Sequence, residues 1–400
     1  MGRRPLRILF LAPQPFFEVR GTPLAVLHMT RALAALGHSI DLLTFPQGRP
    51  APVEGVRHLR SLRLPVGRVK AGPSLAKMVL DVPFLAEAAW RLAFGRYDVV
   101  HAVEEAAHLI APFARWFGVP LVMDVDSSIP DQLQYSGFAT RGPVLWLAEA
   151  LERHALRHSA AAVTVCASLT DGVRARAPEV PVFQVEDPPL VDPKAVPSPE
   201  AVAALRRELT LGPWPVVLYS GNFEPYQGVE LLLDALALVP HVQLLLMGGS
   251  PDEVARMKAE ARARGVGERT VFSGQRPPSE LPAFLGLADV VASPRAKGQN
   301  TPFKIFTYLA SGRPLVATRI PTHTQLVDDA TAFLVEPTAE GLAGGIRAAL
   351  DRPDDAAIRA RKGLDLIERE YSTERYREKI ARAYGAVERL AARGSPPQGP

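Results

Sequence analysis

The stretch Ala288-Asp289-Val290-Val291-Ala292-Ser293-Pro294-Arg295-Ala296-Lys297-Gly298-Gln299-Asn300-Thr301-Pro302-Phe303-Lys304 joins an apolar run to a polar loop and a helix start. The run 288–292 is typical of a buried strand. Thr301 suits an N-cap, Pro302 suits the first helical turn, and Gly312 suits the left-handed residue that ends a helix. The sequence therefore predicts a strand, a loop and a helix from about Pro302 to Ser311.

The loop and the helix start are basic. From Val290 to Val327 the chain has no Asp or Glu, whereas its basic residues there include Arg295, Lys297 and Lys304. Because a helix N-terminus already carries partial positive charge, a lysine in its first turn is unfavourable unless an anion binds there. The pattern indicates a phosphate or diphosphate site. The alternative is a solvated basic loop before an ordinary helix.

Composition limits the class of protein. The 400 residues are 47% hydrophobic and 22% charged, with a net charge of +4, which is typical of a globular chain and does not indicate nucleic-acid binding. The single cysteine excludes an intramolecular disulfide, and no His or carboxylate cluster has the spacing of a metal site. No segment reaches the roughly 18 apolar residues of a membrane span, so a cytoplasmic protein is expected.

Apolar runs alternate with amphipathic stretches along the whole chain. Arg7–Ala12 and Ile40–Phe45 are predicted strands on either side of a helix, which is a βαβ unit of a parallel sheet. We therefore predict an α/β fold with two doubly wound, Rossmann-like domains facing an interdomain cleft. The predicted segments are an N-terminal domain at 1–185, a proline-rich linker at 186–199, a C-terminal domain at 200–370, a last helix at 373–392 and a disordered tail at 394–400.

Residues 57–80 interrupt this alternation. Their basic residues occur without any acid and are interleaved with aliphatic residues: Arg57, Arg60, Arg63, Arg68, Lys70 and Lys77. Pro65, Gly67, Gly72 and Pro73 make one helix through the segment unfavourable. Two interpretations remain open, a contact with a membrane surface or lipid-linked acceptor, and an irregular excursion with a solvated basic face.

Three motifs carry a resemblance to a known family: Pro302-x-Lys304, the run Tyr308-Leu309-Ala310-Ser311-Gly312-Arg313-Pro314-Leu315-Val316-Ala317-Thr318, and the loop Arg20-Gly21-Thr22-Pro23. Together they resemble family 4 of the retaining glycosyltransferases, which use nucleotide sugars and have the GT-B fold. The resemblance spans nearly the whole chain and is stronger in its second half. It implies that the last helix packs back on the N-terminal domain.

The resemblance also implies roles for individual residues. Lys304 would contact the donor diphosphate, and Pro302 and Phe303 would place backbone amides near it. Gly21 and Thr22 would bring amides of the first domain towards the sugar or the phosphate, an approach that a glycine permits because it has no side chain.

Five positions at which family members usually carry charged or histidine side chains are changed here. The two glutamate positions are Gln299 and Thr307, the arginine and lysine positions are Asn222 and Gln227, and the histidine position is Asp126. These residues can still form hydrogen bonds with hydroxyl groups. We favour a divergent branch with its own polar site, and a reduced or lost activity is the other interpretation.

The predicted function is transfer of a sugar from a nucleotide diphosphate sugar to an acceptor hydroxyl, with retention and without a metal or cofactor. The predicted catalytic residues are Asp126, Lys304 and Gln299, and the predicted donor-binding residues are Gly21, Thr22, Asn222, Gln227, Arg295, Asn300, Thr301, Pro302, Phe303 and Thr307. Asp126 acting as a general base would favour inversion instead. The expected acceptor is a glycan or a lipid-linked molecule, reached from the cytoplasm or from the inner face of the membrane. A binding protein without catalysis and a nucleotide-sugar epimerase of the same fold are the alternatives.

Overall fold

The computed structural model describes residues 4–18, 21–66, 75–135, 141–193 and 197–394. The chain divides into two compact units, Met1–Asp187 with Tyr376–Pro400, and Pro188–Arg375. Each unit is built on one sheet, and every strand pair in both sheets is parallel. The predicted α/β class with two Rossmann-like domains is confirmed. Arg68, Lys70 and the tail beyond Gly394 lie outside the described residues.

The first unit carries a seven-stranded sheet. Its strands are β1 (Arg7–Pro15), β2 (Ser39–Phe45), β3 (Val56–Arg60), β4 (Val99–Val103), β5 (Leu121–Val125), β6 (Ala161–Thr164) and β7 (Val182–Gln184). Its helices from the N-terminal segment are α1 (Gly21–Ala35), α2 (Leu75–Phe94), α3 (Glu105–Trp116), α4 (Ile129–Tyr135), α5 (Pro143–Arg157) and α6 (Ala167–Arg176). The strand order is β3-β2-β1-β4-β5-β6-β7, so the order reverses between β1 and β4.

Both faces of this sheet are covered. Leu9 and Leu11 of β1 pack into the core beneath α2, α3, α5 and α6, whereas Ile8 and Phe10 pack on the opposite face with α1. A parallel strand that is buried on both faces is apolar throughout, which explains why β1 could be predicted from a continuous apolar run.

The second unit carries a six-stranded sheet. Its strands are β8 (Val216–Gly221), β9 (Gln243–Gly248), β10 (Thr270–Gly274), β11 (Val290–Ser293), β12 (Leu315–Thr318) and β13 (Phe333–Val335). Its helices are α7 (Pro199–Glu208), α8 (Val229–Leu238), α9 (Pro251–Ala263), α10 (Leu281–Leu287), α11 (Phe303–Ala310), α12 (Pro321–Thr324), α13 (Ala339–Asp351) and α14 (Pro353–Leu366). The order β10-β9-β8-β11-β12-β13 reverses between β8 and β11, and ligands of open α/β sheets bind at the carboxyl ends of strands at such a reversal.

The last helix, α15 (Thr373–Gly394), returns the chain to the first unit. Tyr376, Ile380, Tyr384 and Val387 are buried in the core on the α1 face of the first sheet. Their spacing places them on one side of the helix, which is the pattern of a helix that buries a single apolar stripe.

Residues 57–80 include most of β3 (Val56–Arg60) and the start of α2 at Leu75, and residues 61–66 after β3 belong to no helix or strand. Of the described basic residues, Lys77 is half-buried and pairs with Glu105, whereas Arg57 is exposed and donates to both carboxylate oxygens of Asp41, at 2.8 and 2.5 Å. Both interpretations of the segment therefore stay open.

One sequence prediction is wrong at this level, and it concerns the start of α11. The helix begins at Phe303 and its N-cap is Pro302, so Thr301 lies in the loop and does not cap it. The following Gly312 has a φ of 65°, as expected of a left-handed residue after a helix end.

Candidate functional site

Lys304 lies in the first turn of α11, beside the strand-order reversal of the second sheet. Its Nζ atom is 3.3 Å from Oε1 of Gln227 and 3.7 Å from the centre of the Tyr219 ring. Gly221 makes room for this arrangement, since a Cβ atom at that position would lie 2.9 Å from Nζ. The ammonium group is therefore held over the carboxyl end of β8.

The electrostatic environment of Lys304 is unfavourable for its charge. Burial and the neighbouring Arg295 hold the pKa of Lys304 well below its usual range, and no carboxylate within the described residues offsets these two effects. A buried cation without a counter-ion costs free energy, whereas a bound anion would stabilise the charge and raise the pKa. Lys304 is thus placed to bind an anion.

The start of α11 supports the same interpretation. The N-cap residue Pro302 has a φ of −65° and a ψ of 130°, and its side chain forms no capping hydrogen bond. The first turn of a helix presents backbone N–H groups and the positive end of the helix dipole. An anion at this position would meet both the dipole and the Lys304 ammonium.

Asn222 follows β8 in a loop that is tied to the unit. Its backbone oxygen accepts a 2.6 Å bond from the Tyr219 hydroxyl, and the next amide, of Phe223, donates to Glu253 at 3.1 Å. The side-chain oxygen Oδ1 of Asn222 is buried and has no hydrogen-bond partner among the described residues. Because an unsatisfied buried acceptor costs about 1–3 kcal/mol, this oxygen is suited to accept a bond from a ligand hydroxyl.

The end of β9 adds a backbone feature that the sequence analysis missed. The Gly249 amide donates to the Gly221 oxygen at 3.1 Å, and a Cβ at Gly248 would lie only 2.1 Å from that oxygen. Ser250 and Glu253 then form a capping box at the start of α9. The spacing Ser-x-x-Glu after a Gly-Gly pair is a sequence signal that could have identified this turn.

Arg295 holds the loop after β11 together. Its Nε atom donates to the Lys297 oxygen at 3.0 Å, and its Nη1 and Nη2 atoms donate to the backbone and side-chain oxygens of Asn300 at 3.0 and 3.1 Å. The guanidinium also lies 5.2 Å from the centre of the Tyr226 ring. Arg295 and Asn300 therefore have partners within their own loop, and direct donor contact by either remains a prediction.

His323 is a buried residue of this region that had no recognisable sequence signal. Its Nδ1 atom lies 2.7 Å from the Thr318 backbone oxygen and its Nε2 atom 2.9 Å from the Ser293 hydroxyl. Burial lowers the pKa of His323 to about 4, with a contribution from the positive charges of Arg295 and Lys304. The neutral ring thus links the carboxyl ends of β11 and β12.

The two remaining polar positions near α11 differ in their surroundings. Gln299 is half-buried in the loop, and its backbone oxygen accepts a 2.8 Å bond from Gln325. Thr307 is buried in α11, and its hydroxyl accepts a 3.0 Å bond from the Leu190 amide. Thr307 therefore helps to attach α11 to the segment that enters the second unit.

The predicted residues of the first unit lie at the carboxyl side of its own sheet. Gly21 and Thr22 begin α1. Gly21 is exposed, does not have a positive φ, and a Cβ built on it would meet nothing within 4 Å. Neither the backbone conformation nor crowding inside the unit requires a glycine there, so the surrounding space is open to a ligand.

Asp126 follows β5 and is buried, with 8% of its surface exposed. Burial, together with the negative charges of Asp124 and Glu104, raises the pKa of Asp126 well above its usual range. Two residues before it, Asp124 on β5 has its Oδ2 atom 3.0 Å from Nε2 of His101 on β4. This contact links the side chains of the two neighbouring strands. Burial and neighbouring acids also raise the pKa of Asp187 to about 8. Their surroundings therefore favour the protonated form of both Asp126 and Asp187.

The structure brings Lys304, Gln227 and Asn222 to one edge of the second sheet, next to Pro302 and Phe303. Gly21, Thr22 and Asp126 belong to the first unit. Within the described ranges, no three His, Cys, Asp or Glu residues are arranged to hold a metal ion. None of the described helices is both long and apolar enough to cross a bilayer.

Comparison with protein families gives two matches that together cover about three quarters of the chain. Residues 214–352 match the model described as glycosyl transferases group 1, and residues 20–186 match the glycosyl transferase 4-like domain. Among curated proteins, the chain is 25% identical to the glycogen synthase of Mycobacterium tuberculosis, over 96% of this chain and 95% of that protein. It is 34% identical to the GDP-mannose-dependent alpha-(1-6)-phosphatidylinositol monomannoside mannosyltransferase of Mycolicibacterium smegmatis, over 38% of this chain and 42% of that protein.

Solved structures show the same fold. The sucrose-phosphate synthase of Thermosynechococcus elongatus superposes with a TM-score of 0.78 at 20% identity, covering 96% of this chain and all of that chain. Anabaena Alr3699/HepE in complex with UDP-glucose superposes with a TM-score of 0.75 at 18% identity, covering 95% of this chain and all of that chain. At these identities the superpositions establish the two-domain architecture and leave the ligand to be argued from the site.

Proposed function

Starting from the fact that this chain is a glycosyltransferase of the GT-B fold, we propose that it transfers a sugar from a nucleotide diphosphate sugar to an acceptor hydroxyl, with retention and without a required metal. The observation that carries the proposal is the Lys304 ammonium, which is half-buried over β8 with a lowered pKa and no offsetting carboxylate among the described residues. A nucleoside diphosphate leaving group is the anion that this reaction brings to such a site.

The charge that develops on the departing diphosphate explains how the site would act. Lys304 and the start of α11 would stabilise that charge from fixed positions, which lowers the barrier without reorganising solvent. We assign Pro302 and Phe303 to backbone contacts with the phosphates. Since the lysine and the helix dipole supply positive charge, we expect turnover to survive a chelator.

The polar side chains around Lys304 would bind the sugar and the nucleoside. Asn222 offers its buried Oδ1, and Gln227 already orients the ammonium through Oε1. Gln299 is assigned to a sugar hydroxyl and Thr307 to the nucleoside side, in place of the glutamates of related enzymes. Arg295, Asn300 and Thr301 would act mainly by fixing the shape of the loop.

Asp126 is assigned a role as a hydrogen-bond donor in the first unit. Its raised pKa favours the protonated carboxyl, which can donate to a sugar hydroxyl but cannot accept a proton as a general base does. This argues against the inverting route that a carboxylate at this position would otherwise suggest. Proton NMR of the first-formed product, which distinguishes its anomers, tests retention directly.

The acceptor is proposed to be a glycan or a lipid-linked molecule, reached from the cytoplasm or from the inner face of a membrane. The mannosyltransferase named above acts on a phosphatidylinositol mannoside, and the Anabaena protein binds UDP-glucose, so uridine and guanosine donors are the first to test.

The experiment begins with a thermal-shift screen of nucleoside diphosphates and their sugars, followed by measurement of diphosphate release. We expect Lys304→Met to lower turnover by about 100-fold or more, the range observed when a charge-stabilising group is removed. The same variant should keep or raise the free energy of unfolding, because it removes a half-buried, uncompensated cation.

Lys304→Arg, which keeps the positive charge, serves as the matched variant and should retain more binding than Lys304→Met. Wild-type turnover by Lys304→Met would refute the proposed site. A wild-type chain that binds a nucleotide sugar tightly but never releases the diphosphate would refute the transfer reaction while leaving the binding site in place.

A further inference from the structure

The outer surface of α2 has an unusual composition. Among the residues of this helix whose side chains are described, every exposed one is apolar: Met78, Val79, Val82, Ala86, Trp90 and Phe94. Phe94 is 73% exposed and Trp90 is 60% exposed. The charged residues of α2 are half-buried: Lys77 pairs with Glu105 and Glu87 with Arg91, and burial raises the pKa of Asp81 to about 6. A surface helix normally turns polar residues outwards, so this one lacks a partner for its outer face.

The neighbouring helices continue the apolar surface. α3 contacts both α2 and α5, and all three cover the same face of the first sheet. The other large exposed hydrophobic side chains here are Phe113, Trp116 and Phe117 at the end of α3, and Val144, Trp146, Leu147 and Leu151 on α5. Trp116 is 85% exposed. We name this set, together with the outer residues of α2, the apolar face.

The apolar face is confined to one side of the unit. On the opposite side of the sheet, the described residues of α1 and α15 expose no large hydrophobic side chain. Apolar surface of this extent is rare on isolated soluble domains and usually marks an interaction site.

The charged residues around the apolar face indicate which kind of partner can bind it. On the described parts of α2, α3 and α5, no acidic residue is exposed, whereas Arg115, Arg153 and Arg157 are exposed. Arg157 pairs with the exposed Glu179 at 3.4 Å, which leaves Arg115 and Arg153 without an acidic partner among the described residues. A second copy of the chain in a two-fold interface would place these like-charged arginines opposite each other. A negatively charged surface would pair with them directly.

The aromatic residues favour a lipid surface. Tryptophan is enriched where hydrocarbon meets the lipid headgroups, because its ring is apolar and its N–H group forms hydrogen bonds. Three of the four tryptophans of the chain, Trp90, Trp116 and Trp146, lie on the apolar face. A helix that lies in the interface presents aromatic and aliphatic residues to the lipid and cations beside them.

We propose that the apolar face docks on the surface of an anionic bilayer, with the aromatic side chains in the headgroup region and the arginines on the phosphates. This assignment bases membrane contact on the apolar face instead of on Arg57 and Lys77, which pair with Asp41 and Glu105. It goes beyond the proposed transfer reaction and holds whether or not the chain transfers a sugar.

The test is co-sedimentation of the full chain with vesicles of phosphatidylcholine and phosphatidylglycerol, without any nucleotide sugar. We expect the wild-type chain to bind these vesicles, to bind phosphatidylcholine vesicles less, and to dissociate as salt is added. The variant Trp90→Gln/Trp116→Gln/Trp146→Gln should bind at least about tenfold more weakly. Because these side chains are exposed, the variant should keep the thermal unfolding temperature of the wild type.

The matched control is Trp214→Gln/Leu238→Gln/Ile358→Gln, which removes exposed apolar residues of the second unit and should bind vesicles as the wild type does. The proposal is overturned if the wild-type chain stays in the supernatant, or if the first triple variant binds as tightly as the control. Sedimentation equilibrium tests whether a second copy of the chain binds the apolar face instead. If the wild type is a dimer and the first triple variant is a monomer that still binds vesicles as the wild type does, the face is assigned to a second copy.

Discussion

Gly248 of the second unit and Gly21 of the first unit are glycines for different reasons. Gly248 has a φ of 117°, and a Cβ there would collide with the Gly221 oxygen, so the fold itself requires a glycine. Gly21 lies in a helical turn with open space around it. A glycine in the first turn of a helix has no structural advantage over alanine, and we propose that close approach of a ligand is the reason for its presence.

We therefore expect Gly21→Ala to change the free energy of unfolding by no more than about 0.5 kcal/mol, and in the stabilising direction. Turnover should nevertheless fall at least about tenfold, because the methyl group would occupy space at the proposed donor. Urea denaturation and initial rates measure the two effects separately.

Gly344→Ala is the control, since Gly344 lies inside α13, far in sequence from the site, and an added methyl group there would meet nothing within 4 Å. It should leave turnover unchanged. A Gly21→Ala enzyme with full activity would show that no ligand approaches this turn.

At the scale of elements, α15 is held to the first unit by more than apolar contact. The Tyr384 hydroxyl lies 2.8 Å from Nδ1 of His101, whose other nitrogen lies 3.0 Å from Asp124. With Nε2–H donating to the carboxylate, Nδ1 accepts from the tyrosine. The other buried tyrosine of the helix, Tyr376, reaches only the Met29 sulfur, at 4.0 Å.

Tyr384→Phe should therefore lower the free energy of unfolding of the first unit by about 1–3 kcal/mol, the cost of leaving a buried acceptor unsatisfied. Tyr376→Phe removes a hydroxyl from the same helix without that consequence and should cost less. Comparing the denaturation midpoints of the two variants decides the matter, and equal losses would mean that the bond to His101 contributes nothing.

The sequence could identify the strands that are apolar throughout, such as β1 and β11, and the basic helix start at Lys304. The sequence did not predict α2. The Pro and Gly residues between Pro65 and Pro73 were taken to break a longer segment, and the outward residues of α2 are apolar, so the helix lacks the polar side that identifies a surface helix. The sequence also could not place Tyr219 beneath Lys304, since their contact depends on the pairing of β8 with β11 across a long stretch of chain. Local pattern predicts elements, whereas contacts between distant elements follow from packing.

At the scale of the whole molecule, buried histidines and buried acids have opposite effects on how the stability of the fold changes with pH. In the first unit, burial lowers the pKa of His28 and His108 to about 4, while it raises that of Asp187 to about 8. The histidines make the folded state less stable as pH falls below 6.5, whereas the acid makes it less stable as pH rises above 4. The second unit offers the clearer test, because His323 is fully buried there with a pKa of about 4.

The unfolded chain binds a proton at His323 near pH 6.5 and the folded chain only near pH 4, so stability is lost as pH falls between these values. From pH 7 to pH 5 the expected loss is about 2 kcal/mol from this residue, at 1.36 kcal/mol per pKa unit. His323→Gln should be less stable than the wild type at pH 7 and should lose less on acidification.

Trp214 is the only tryptophan of the second unit, so a background in which the other three are phenylalanine lets its fluorescence report the unfolding of that unit. The difference in denaturation midpoint between pH 7 and pH 5 is the quantity to compare. Identical pH dependence in the variant and the wild type would show that His323 does not remain neutral in the fold.

The return of α15 to the first unit has a consequence for synthesis on the ribosome. The second unit is one continuous segment, Pro188–Arg375, whereas the first unit lacks the helix carrying Tyr376 and Tyr384 until after that segment has been translated. Its sheet therefore leaves the exit tunnel early with Ile8 and Phe10 on a face that α15 has not yet covered. The first unit therefore cannot complete its core until the whole second unit has been translated, and until then the nascent chain exposes an apolar surface to which a chaperone could bind.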